Sequence, residues 1–292
     1  MKTINKSCWV CDSKETSCVR KSNLKNQLNP DDFKISNKDY GKTLNLFKCN
    51  NCGFLFSPDI SDLEQYYEQM EDSNYEDTMD SRKLQSDKIL KTINKNNILK
   101  NKSLFDVGAG SGVLIEASIK YGLSASGIEP SKSLYSLAKS KKLDIHLGTF
   151  PSPKIKSKYD FVTLIDVIEH VNNPKQLLIE INKILKNKGK LFLVTPDLDS
   201  FFSRLLKYKW WHFRIAHIGY FNKKTIKLIL AKTGFKINYL KRSIWYFPIS
   251  YIINRLLSYI SPKLEIKIPK RIDFIIPLNL YDSFIVECEK LD

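Results

Sequence analysis

The chain has 292 residues, of which 42% are hydrophobic and 27% charged, and its formal net charge is +16. This length accommodates one large domain with an appendage or two domains, and the apolar fraction is enough to bury a core. No run of about 18 uncharged apolar residues is present, which excludes a membrane-spanning helix. The N-terminus lacks the apolar segment of a signal peptide, so we expect a cytoplasmic protein in a reducing compartment.

Four of the six cysteines form two pairs near the N-terminus, with two residues between the members of each pair. The pairs are Cys8 with Cys11 and Cys49 with Cys52. In a reducing compartment this pattern indicates a metal rather than disulfides, and four thiolates on two tight turns complete a tetrahedral zinc site. Because no coordination position stays open, we expect structural Zn²⁺; the alternative is a set of free buried thiols. Cys18 and Cys288 are expected to be packing residues.

We expect the chain to divide into three parts: residues 1–58 as a zinc-ribbon module, 59–101 as a helical cap or linker, and 102–292 as the main domain. Within the linker, residues 80–99 are predicted to form one helix. Its predicted apolar side consists of Leu84, Ile89, Ile93 and Ile98.

The most informative stretch opens the main domain at residues 104–112, LFDVGAGSG. A short apolar run ends in an acid, three glycines follow at every second position, and a helical pattern begins at Val113. This predicts a buried strand, a tight loop that lets a ligand approach the main chain, and a helix. The spacing departs from the dinucleotide fingerprint, whose glycines fall at positions one, three and six. Asp106 would repel a pyrophosphate but suit an ammonium or sulfonium group.

A second acid, Glu129, ends the next predicted strand, where an acid about 20 residues after the loop can bind a ribose diol. The two acids suit a phosphate-free nucleoside with a cationic amino-acid tail, as in S-adenosylmethionine (SAM). Three segments, Asp106–Gly112, Gly127–Ser131 and Asp166–His170, resemble the class I SAM-dependent methyltransferases in order and spacing. The resemblance covers about residues 62–243 and the last strand.

Predicted strands and helices alternate through the main domain, which predicts a parallel sheet with helices on both faces. Strands are predicted at 104–107, 125–128, 143–147, 159–165 and 191–194, and helices at 113–121, from 131, and at 174–186. Gly189 is expected just past the end of the last helix. Residues 235–240 and 281–288 are expected to close the sheet as an antiparallel pair. We therefore predict an α/β fold, a doubly wound, mostly parallel seven-stranded sheet of the Rossmann-like methyltransferase type, with a small N-terminal zinc ribbon.

By this resemblance, the SAM site lies beyond the carboxyl ends of the strands, where all three motifs lie. The implied cofactor-binding residues are Asp106, Gly108, Ala109, Gly110, Gly112, Glu129, Pro130, Thr149, Phe150, Asp166 and Val167. Phe150 would stack on the adenine or belong to the core. The acidic segment 71–77 precedes the main domain and contains Tyr75. In methyltransferases with similar N-terminal extensions, a segment like this covers the cofactor, so Tyr75 is expected near the methionine end of SAM. An exposed linker tyrosine is an equally good interpretation.

Histidines and one acid indicate the acceptor side. Methyl transfer is an in-line displacement that mainly requires a positioned acceptor, and a hydroxyl or acidic carbon also needs a base. His170 would be that base, with Glu169 orienting it, or would only shape the pocket. His212 or His217, from an aromatic loop after the fifth strand, is expected to reach the same site, unless the loop is a hydrophobic lid. A divalent metal held by Glu169, His170 and His217 is a further alternative that no spacing enforces.

The C-terminal part combines apolar and basic residues, with 17 Lys and Arg against 6 Asp and Glu between residues 201 and 292. This suits an anionic or interfacial partner as well as RNA, and a lysine-rich proteome would explain it equally well. Residues 244–280 are an insertion whose segment 244–260 is apolar and aromatic. It fits an interfacial helix in peripheral membrane contact or a lid over a lipid-linked acceptor; the alternative is a helix packed on the domain or on a second subunit of a homodimer.

We therefore predict a SAM-dependent methyltransferase acting on a small-molecule or saccharide acceptor, which could be nucleotide- or lipid-linked. By resemblance, zinc-ribbon methyltransferases often act on deoxysugars or surface-glycan precursors. An RNA methyltransferase is the first alternative; within it, amino-methylation of a base is disfavoured because no Asn/Asp-Pro-Pro-aromatic motif follows the fourth strand. A non-catalytic scaffold that binds zinc and SAM is the second, and the intact acids Asp106, Glu129 and Asp166 argue against it.

Overall fold

The computed structural model describes residues 7–60, 63–94, 99–261, 264 and 266–291, without the side chain of residue 270. The helices in this part of the chain are α1 (Leu63–Gln69), α2 (Met79–Ile93), α3 (Val113–Lys120), α4 (Lys132–Ser140), α5 (Pro174–Ile184), α6 (Phe201–Leu206), α7 (Lys223–Lys232) and α8 (Ile249–Ser258). The strands are β1 (Thr16–Arg20), β2 (Leu46–Cys49), β3 (Leu55–Phe56), β4 (Ser103–Val107), β5 (Ser124–Glu129), β6 (Ile145–Leu147), β7 (Tyr159–Ile165), β8 (Leu185–Pro196), β9 (Gly219–Tyr220), β10 (Phe235–Arg242), β11 (Trp245–Pro248), β12 (Ile275–Leu278) and β13 (Ser283–Lys290). Among the described helices, none is both long and apolar enough to cross a membrane.

The main sheet has seven strands in the order β10-β13-β8-β7-β4-β5-β6. The strands from β8 to β6 are parallel, and β13 pairs antiparallel with both β8 and β10. Leu104 and Phe105 of β4, and Val162 and Leu164 of β7, are fully buried, because helices cover both faces of the parallel strands. The predicted doubly wound, mostly parallel seven-stranded fold is confirmed.

Polar residues at the ends of the helices fix where several of them begin. The side chain of Ser131 accepts the Leu134 N–H at the start of α4, and Asn222 forms a reciprocal capping box with Thr225 at the start of α7. Each cap satisfies backbone N–H groups that have no partner within the helix. The helices that pack beside β5 and β10 therefore start where the sequence places their caps.

The N-terminal module forms a second sheet, which takes its last strand from the main domain. Its order is β1-β2-β3-β9, all antiparallel. The Ser57 N–H donates to the Ile218 carbonyl at 2.8 Å, and the Ile218 N–H donates to the Glu169 carbonyl at 2.9 Å. The rings of Phe54 and Phe221 lie 4.8 Å apart between centroids. The module is thus joined through backbone hydrogen bonds to the segment that follows β7.

Two predicted local features are wrong. Gly189 does not follow a helix end, because α5 ends at Ile184 and the chain enters β8 at once; Gly189 lies within that strand, where a Cβ would come 2.8 Å from the Lys186 carbonyl oxygen. In α2, Ile89 and Ile93 are buried as predicted, but Leu84 is 43% exposed. Leu84 precedes Ile89 by five residues, a spacing that does not share a helical face. Ile98 lies outside the described residues.

Candidate active site

The glycine loop between β4 and α3 is closely packed from two sides. Gly108, Gly110 and Gly112 all have positive φ, at +72°, +55° and +76°, which favours glycine. A Cβ on Gly108 would lie 2.5 Å from a methyl of Val167, and one on Gly110 would lie 2.7 Å from the hydroxyl of Tyr75. Both the conformation and the close neighbours therefore require glycine in this loop.

Two buried carboxyl groups flank the loop, as predicted. Asp106, which is 4% exposed, accepts a hydrogen bond from the Thr163 hydroxyl at 2.6 Å. Glu129, which is 5% exposed, accepts the Gly110 N–H at 2.7 Å and the Ser131 N–H at 2.8 Å. Burial raises the pKa of each carboxyl to about 7, because removal from water disfavours the charged form.

These acids fit a cationic nucleoside such as SAM. In the described part of the chain, neither Asp106 nor Glu129 forms an ion pair with a Lys or Arg side chain. A ligand with an ammonium or sulfonium group would supply the missing positive charge, and a ribose diol would give Glu129 additional donors. The residues present therefore suit SAM rather than a pyrophosphate.

Tyr75 covers the glycine loop. It is 4% exposed, and its hydroxyl lies 3.4 Å from the Ser111 nitrogen. The guanidinium carbon of Arg82 lies 4.2 Å from the centre of its ring, a distance that favours a cation–π contact. The expectation of an exposed linker tyrosine is wrong, whereas contact with the methionine end of SAM stays a prediction.

The remaining predicted cofactor residues also surround the carboxyl ends of the strands. Ala109 is buried, Pro130, Thr149 and Phe150 are half-buried, and Asp166 is exposed, with φ +52°. The Phe150 ring lies 6.0 Å from that of Phe105, a buried β4 residue. Phe150 thus contacts the core while part of its surface stays open, and its stacking on adenine stays a prediction.

Three predicted acceptor-side residues come together beyond β7. One ligand atom each from Glu169, His170 and His217 lies within 4.8 Å of the others. Glu169, 2% exposed, accepts the Thr195 hydroxyl at one oxygen (2.9 Å), whereas its Oε1 is buried without a hydrogen-bond partner. A buried carboxylate oxygen without a partner is costly, so this oxygen is available to a proton, a ligand or a cation.

His170 is oriented by two residues that sequence reasoning missed. Its Nδ1 lies 2.6 Å from the Tyr67 hydroxyl and 2.8 Å from the Ala216 carbonyl oxygen. Because a carbonyl can only accept, Ala216 favours a proton on Nδ1 and leaves the lone pair on Nε2. Burial lowers the pKa of His170 to about 3 and lowers that of His217 well below its usual range. Both imidazoles are therefore neutral near pH 7.

The third histidine, His212, is connected to this group through the ring of His217. The rings of His170 and His217 are 4.7 Å apart at 88°, and those of His217 and His212 are stacked at 5.4 Å. His212 Nε2 lies 3.4 Å from Asp282, which also accepts the Trp211 indole N–H at 2.9 Å. Of the two loop histidines, His217 therefore reaches Glu169 and His170, while His212 packs behind it. The sequence gives no signal for Asp282, which is 70 residues away along the chain from His212.

The four predicted zinc ligands also converge. The Sγ atoms of Cys8 and Cys52, and those of Cys11 and Cys49, are each 3.5 Å apart, and all four lie within 4.8 Å of one another. A tetrahedron with Zn–S bonds of 2.3 Å has edges of about 3.8 Å. The donor set and its size therefore fit Zn²⁺, which would hold β2 and the first turn together. Cys288 is buried, as predicted, but Cys18 is exposed and does not pack.

The fold and the site together define a class I SAM-dependent methyltransferase. The chain belongs to the methyltransferase-domain family, whose model matches residues 79–240, more than half of the sequence.

Two relatives of this chain each match about a third of it. It is 34% identical over 103 residues to the ubiquinone biosynthesis O-methyltransferase of Pelagibacter ubique, which covers 33% of this chain and 43% of that protein. It is 32% identical over 117 residues to the enzyme of the same name from Coxiella burnetii, covering 36% and 48%. The chain thus spans less than half the length of these relatives.

Solved structures share the fold at low identity. Magnesium protoporphyrin IX methyltransferase from Synechocystis, solved with bound SAH, has a TM-score of 0.51 at 15% identity, covering 78% of this chain and 93% of that one. A complex of the Trm112 methyltransferase activator with a methyltransferase from Haloferax volcanii gives 0.52 at 12% identity, covering 80% and 99%. These similarities support the fold and do not bear on the acceptor.

Proposed function

We propose that this protein transfers the methyl group of SAM to a hydroxyl oxygen of a small molecule, with His170 as the base. The single observation that carries the proposal is the group of Glu169, His170 and His217 beyond β7, in which His170 is half-buried and the other two are buried. The relatives are named as O-methyltransferases of ubiquinone biosynthesis, which supports oxygen as the methylated atom.

The cofactor would be held by the acids and the glycine loop. Asp106 and Glu129 would balance the positive charge and bind the ribose, while Gly108 and Gly110 leave room beside the main chain. SAM supplies an activated methyl group on a sulfonium. The protein has to hold the acceptor oxygen in line with that group and keep water out.

His170 would accept the proton of the acceptor hydroxyl at Nε2. The Ala216 carbonyl holds the opposite ring nitrogen in the donor form, so the tautomer suits a base. The imidazole ring of His170 is charged only while it carries the acceptor proton. Oε1 of Glu169, which has no hydrogen-bond partner, belongs to the same group of three side chains. General-base catalysis accelerates a reaction by about 10²–10⁴-fold when the pKa of the base lies near the operating pH. The lowered pKa of His170 places its expected contribution at the lower end of this range.

Narrower acceptor proposals rest on weaker support. The names of the relatives favour a hydroxyl of a ubiquinone precursor. The resemblance to zinc-ribbon methyltransferases favours a deoxysugar or surface-glycan precursor, either of which could be nucleotide- or lipid-linked. A basic C-terminal part suits a phosphate-bearing acceptor in both cases.

The test is methyl transfer from labelled SAM to a panel of phenols, nucleotide sugars, lipid-linked saccharides and RNA. For the accepted substrate, His170→Gln should lower kcat by about 10²-fold and leave SAM affinity unchanged. His146→Gln, in β6 and away from the group, is the matched control. Full activity of His170→Gln would remove the base from the proposal, and label in RNA alone would favour the RNA alternative.

A metal-assisted form of the same reaction is the second candidate. The spacing of Glu169, His170 and His217, with one carboxylate oxygen lacking a partner, is the observation that favours it, since carboxylate and imidazole suit several divalent metals. In this form a chelator should abolish activity while the cysteine-bound zinc, measured separately, is retained, and added Mg²⁺ or Mn²⁺ should restore turnover. Activity that is insensitive to the chelator would rule this candidate out.

A further inference from the structure

The insertion carries an exposed apolar surface on α8 and on the chain that returns along it. Leu256 on α8 is 64% exposed, and Ile260, in the turn just after the helix, is 78% exposed. On the returning segment, Ile272 is 55% and Phe274 is 64% exposed. Isolated exposed apolar residues are ordinary, but a contiguous group indicates an interaction surface.

Hydrogen bonds hold the two segments together, so the exposed apolar side chains of both belong to one folded unit. The side chain of Asn254 both donates to the Ile266 carbonyl and accepts the Ile266 N–H, at 2.9 and 2.7 Å. Near the start of α8, the Ser250 N–H donates to Asp273 at 2.8 Å, and the Ile249 N–H donates to the Phe274 carbonyl at 3.1 Å. The returning segment therefore lies against α8 at two points.

Positive charge surrounds this surface. Lys267 and Arg271 are exposed on the returning segment. At the other end of α8, the Tyr259 hydroxyl donates to the Lys209 carbonyl at 2.8 Å, which brings the exposed Lys207 and Lys209 next to it. Within the described residues, none of these four cations forms an ion pair with an acid.

We propose that this basic apolar patch binds the surface of an anionic lipid bilayer. The patch consists of Leu256, Ile260, Ile272 and Phe274 with Lys207, Lys209, Lys267 and Arg271. Apolar side chains would enter the headgroup region while lysines and arginine contact anionic lipids. Pairing with a second copy of the chain is disfavoured, because a symmetric interface would place the positive charges of the two copies opposite one another.

The inner side of the same helix faces the candidate active site. The Arg255 guanidinium lies 5.2 Å from the Trp211 ring centre, and Trp211 donates to Asp282 beside His212. These contacts, continued by the stacking of His212 on His217, connect α8 to the histidine group. If the proposed function holds, an acceptor carried in the bilayer would be bound next to the site; the lipid contact itself does not depend on that function.

Vesicle co-sedimentation tests the patch on the full chain. Vesicles of phosphatidylcholine with added phosphatidylglycerol should bind the protein at least tenfold more strongly than phosphatidylcholine alone, and salt should weaken the binding. The variants Leu256→Ser with Ile260→Ser, and Lys207→Glu with Lys209→Glu, should each lower partitioning about tenfold or more. Because all four side chains are exposed, their circular dichroism and Tm should match those of the unchanged protein.

Matched substitutions elsewhere provide the controls. Ile119→Ser on α3, where Ile119 is 49% exposed, and Lys224→Glu on α7 should leave vesicle binding unchanged. Equal binding to both vesicle types, or binding that the patch variants do not alter, would overturn the proposal. So would a homodimer in sedimentation velocity that the Leu256→Ser and Ile260→Ser variant dissociates, because a second copy would then occupy the patch. Methyl transfer to a water-soluble acceptor, measured in parallel, reports on the proposed function separately.

Discussion

Binding of SAM should release protons, because Asp106 and Glu129, the two buried acids of its site, have no cation beside them. In the ligand-free protein, burial raises the pKa of Asp106 and of Glu129 to about 7. A cationic ligand favours their ionised form and lowers both pKa values. Each acid that is protonated before binding must then lose its proton, so affinity should rise as the pH rises towards 7.

The expected size follows from the two pKa values. At pH 6, a group of pKa 7 is about nine-tenths protonated, so ionising both releases about 1.8 protons per SAM bound; at pH 7 the figure is about 1. If both acids are fully ionised in the complex, the Kd at pH 6 is about 30-fold weaker than at pH 7. One titrating acid alone would give about fivefold.

Isothermal titration calorimetry of SAM binding measures this directly, in two buffers of different ionisation enthalpy at each pH. Asp106→Asn removes one titrating group while keeping the shape of the side chain. It should bind SAM more weakly at pH 7 and release about half as many protons at pH 6. Proton uptake, or no exchange with the buffer at pH 6, would refute the assignment of these two acids to the cationic ligand.

Three further predictions concern the zinc site, the orientation of His170 and the packing of the glycine loop. If the four cysteines hold zinc, Cys49→Ser should abolish zinc binding and lower Tm by about 10 °C or more. It should also reduce activity, because β9 pairs with β3 next to His217. Metal analysis with thermal unfolding measures both effects. Tyr67→Phe removes one hydrogen bond at His170 Nδ1, so it should lower kcat about tenfold without changing SAM affinity. Steady-state kinetics measures this effect. Gly127→Ala should cost about 1–3 kcal/mol in the free energy of unfolding, because its Cβ would lie 2.8 Å from the Asp106 carbonyl oxygen; denaturant titration reports the value.

Each of these predictions has a neighbouring control. Cys18→Ser, at the exposed cysteine, should retain the zinc, and Tyr66→Phe should retain kcat, since Tyr66 stacks on Phe33 instead. Ser124→Ala, at the exposed start of β5, should not change stability. A zinc-bound Cys49→Ser variant, an unchanged kcat in Tyr67→Phe, or a Gly127→Ala variant as stable as the parent would contradict the corresponding argument.

The parts of the site that the sequence predicts are those with local causes. The glycine loop, Asp106 and Glu129 are recognisable because a strand, a tight turn and a helix follow one another within a few residues. The cysteine pairs are recognisable because metal ligation fixes their spacing. Such constraints act over short stretches of chain, so they leave a pattern that can be seen without the fold.

The parts that escaped prediction depend on packing between distant segments. The contact of Tyr67 with His170 spans 103 residues, and that of His170 with Ala216 spans 46. No periodicity encodes which of the two loop histidines turns towards Glu169. Gly189 shows the same limit, because a glycine marks an irregularity without saying whether it lies after a helix or inside a strand.

The shared strand β9 has a practical consequence for anyone who wishes to change what this enzyme methylates. Exchange of the N-terminal module for another would also alter the backbone partner of the residues just after His217. A replacement for residues 7–58 should therefore be grafted together with the donor's counterpart of residues 217–221. Deletion of the N-terminal module would leave the edge of β9 open and remove a support from the segment that carries His217.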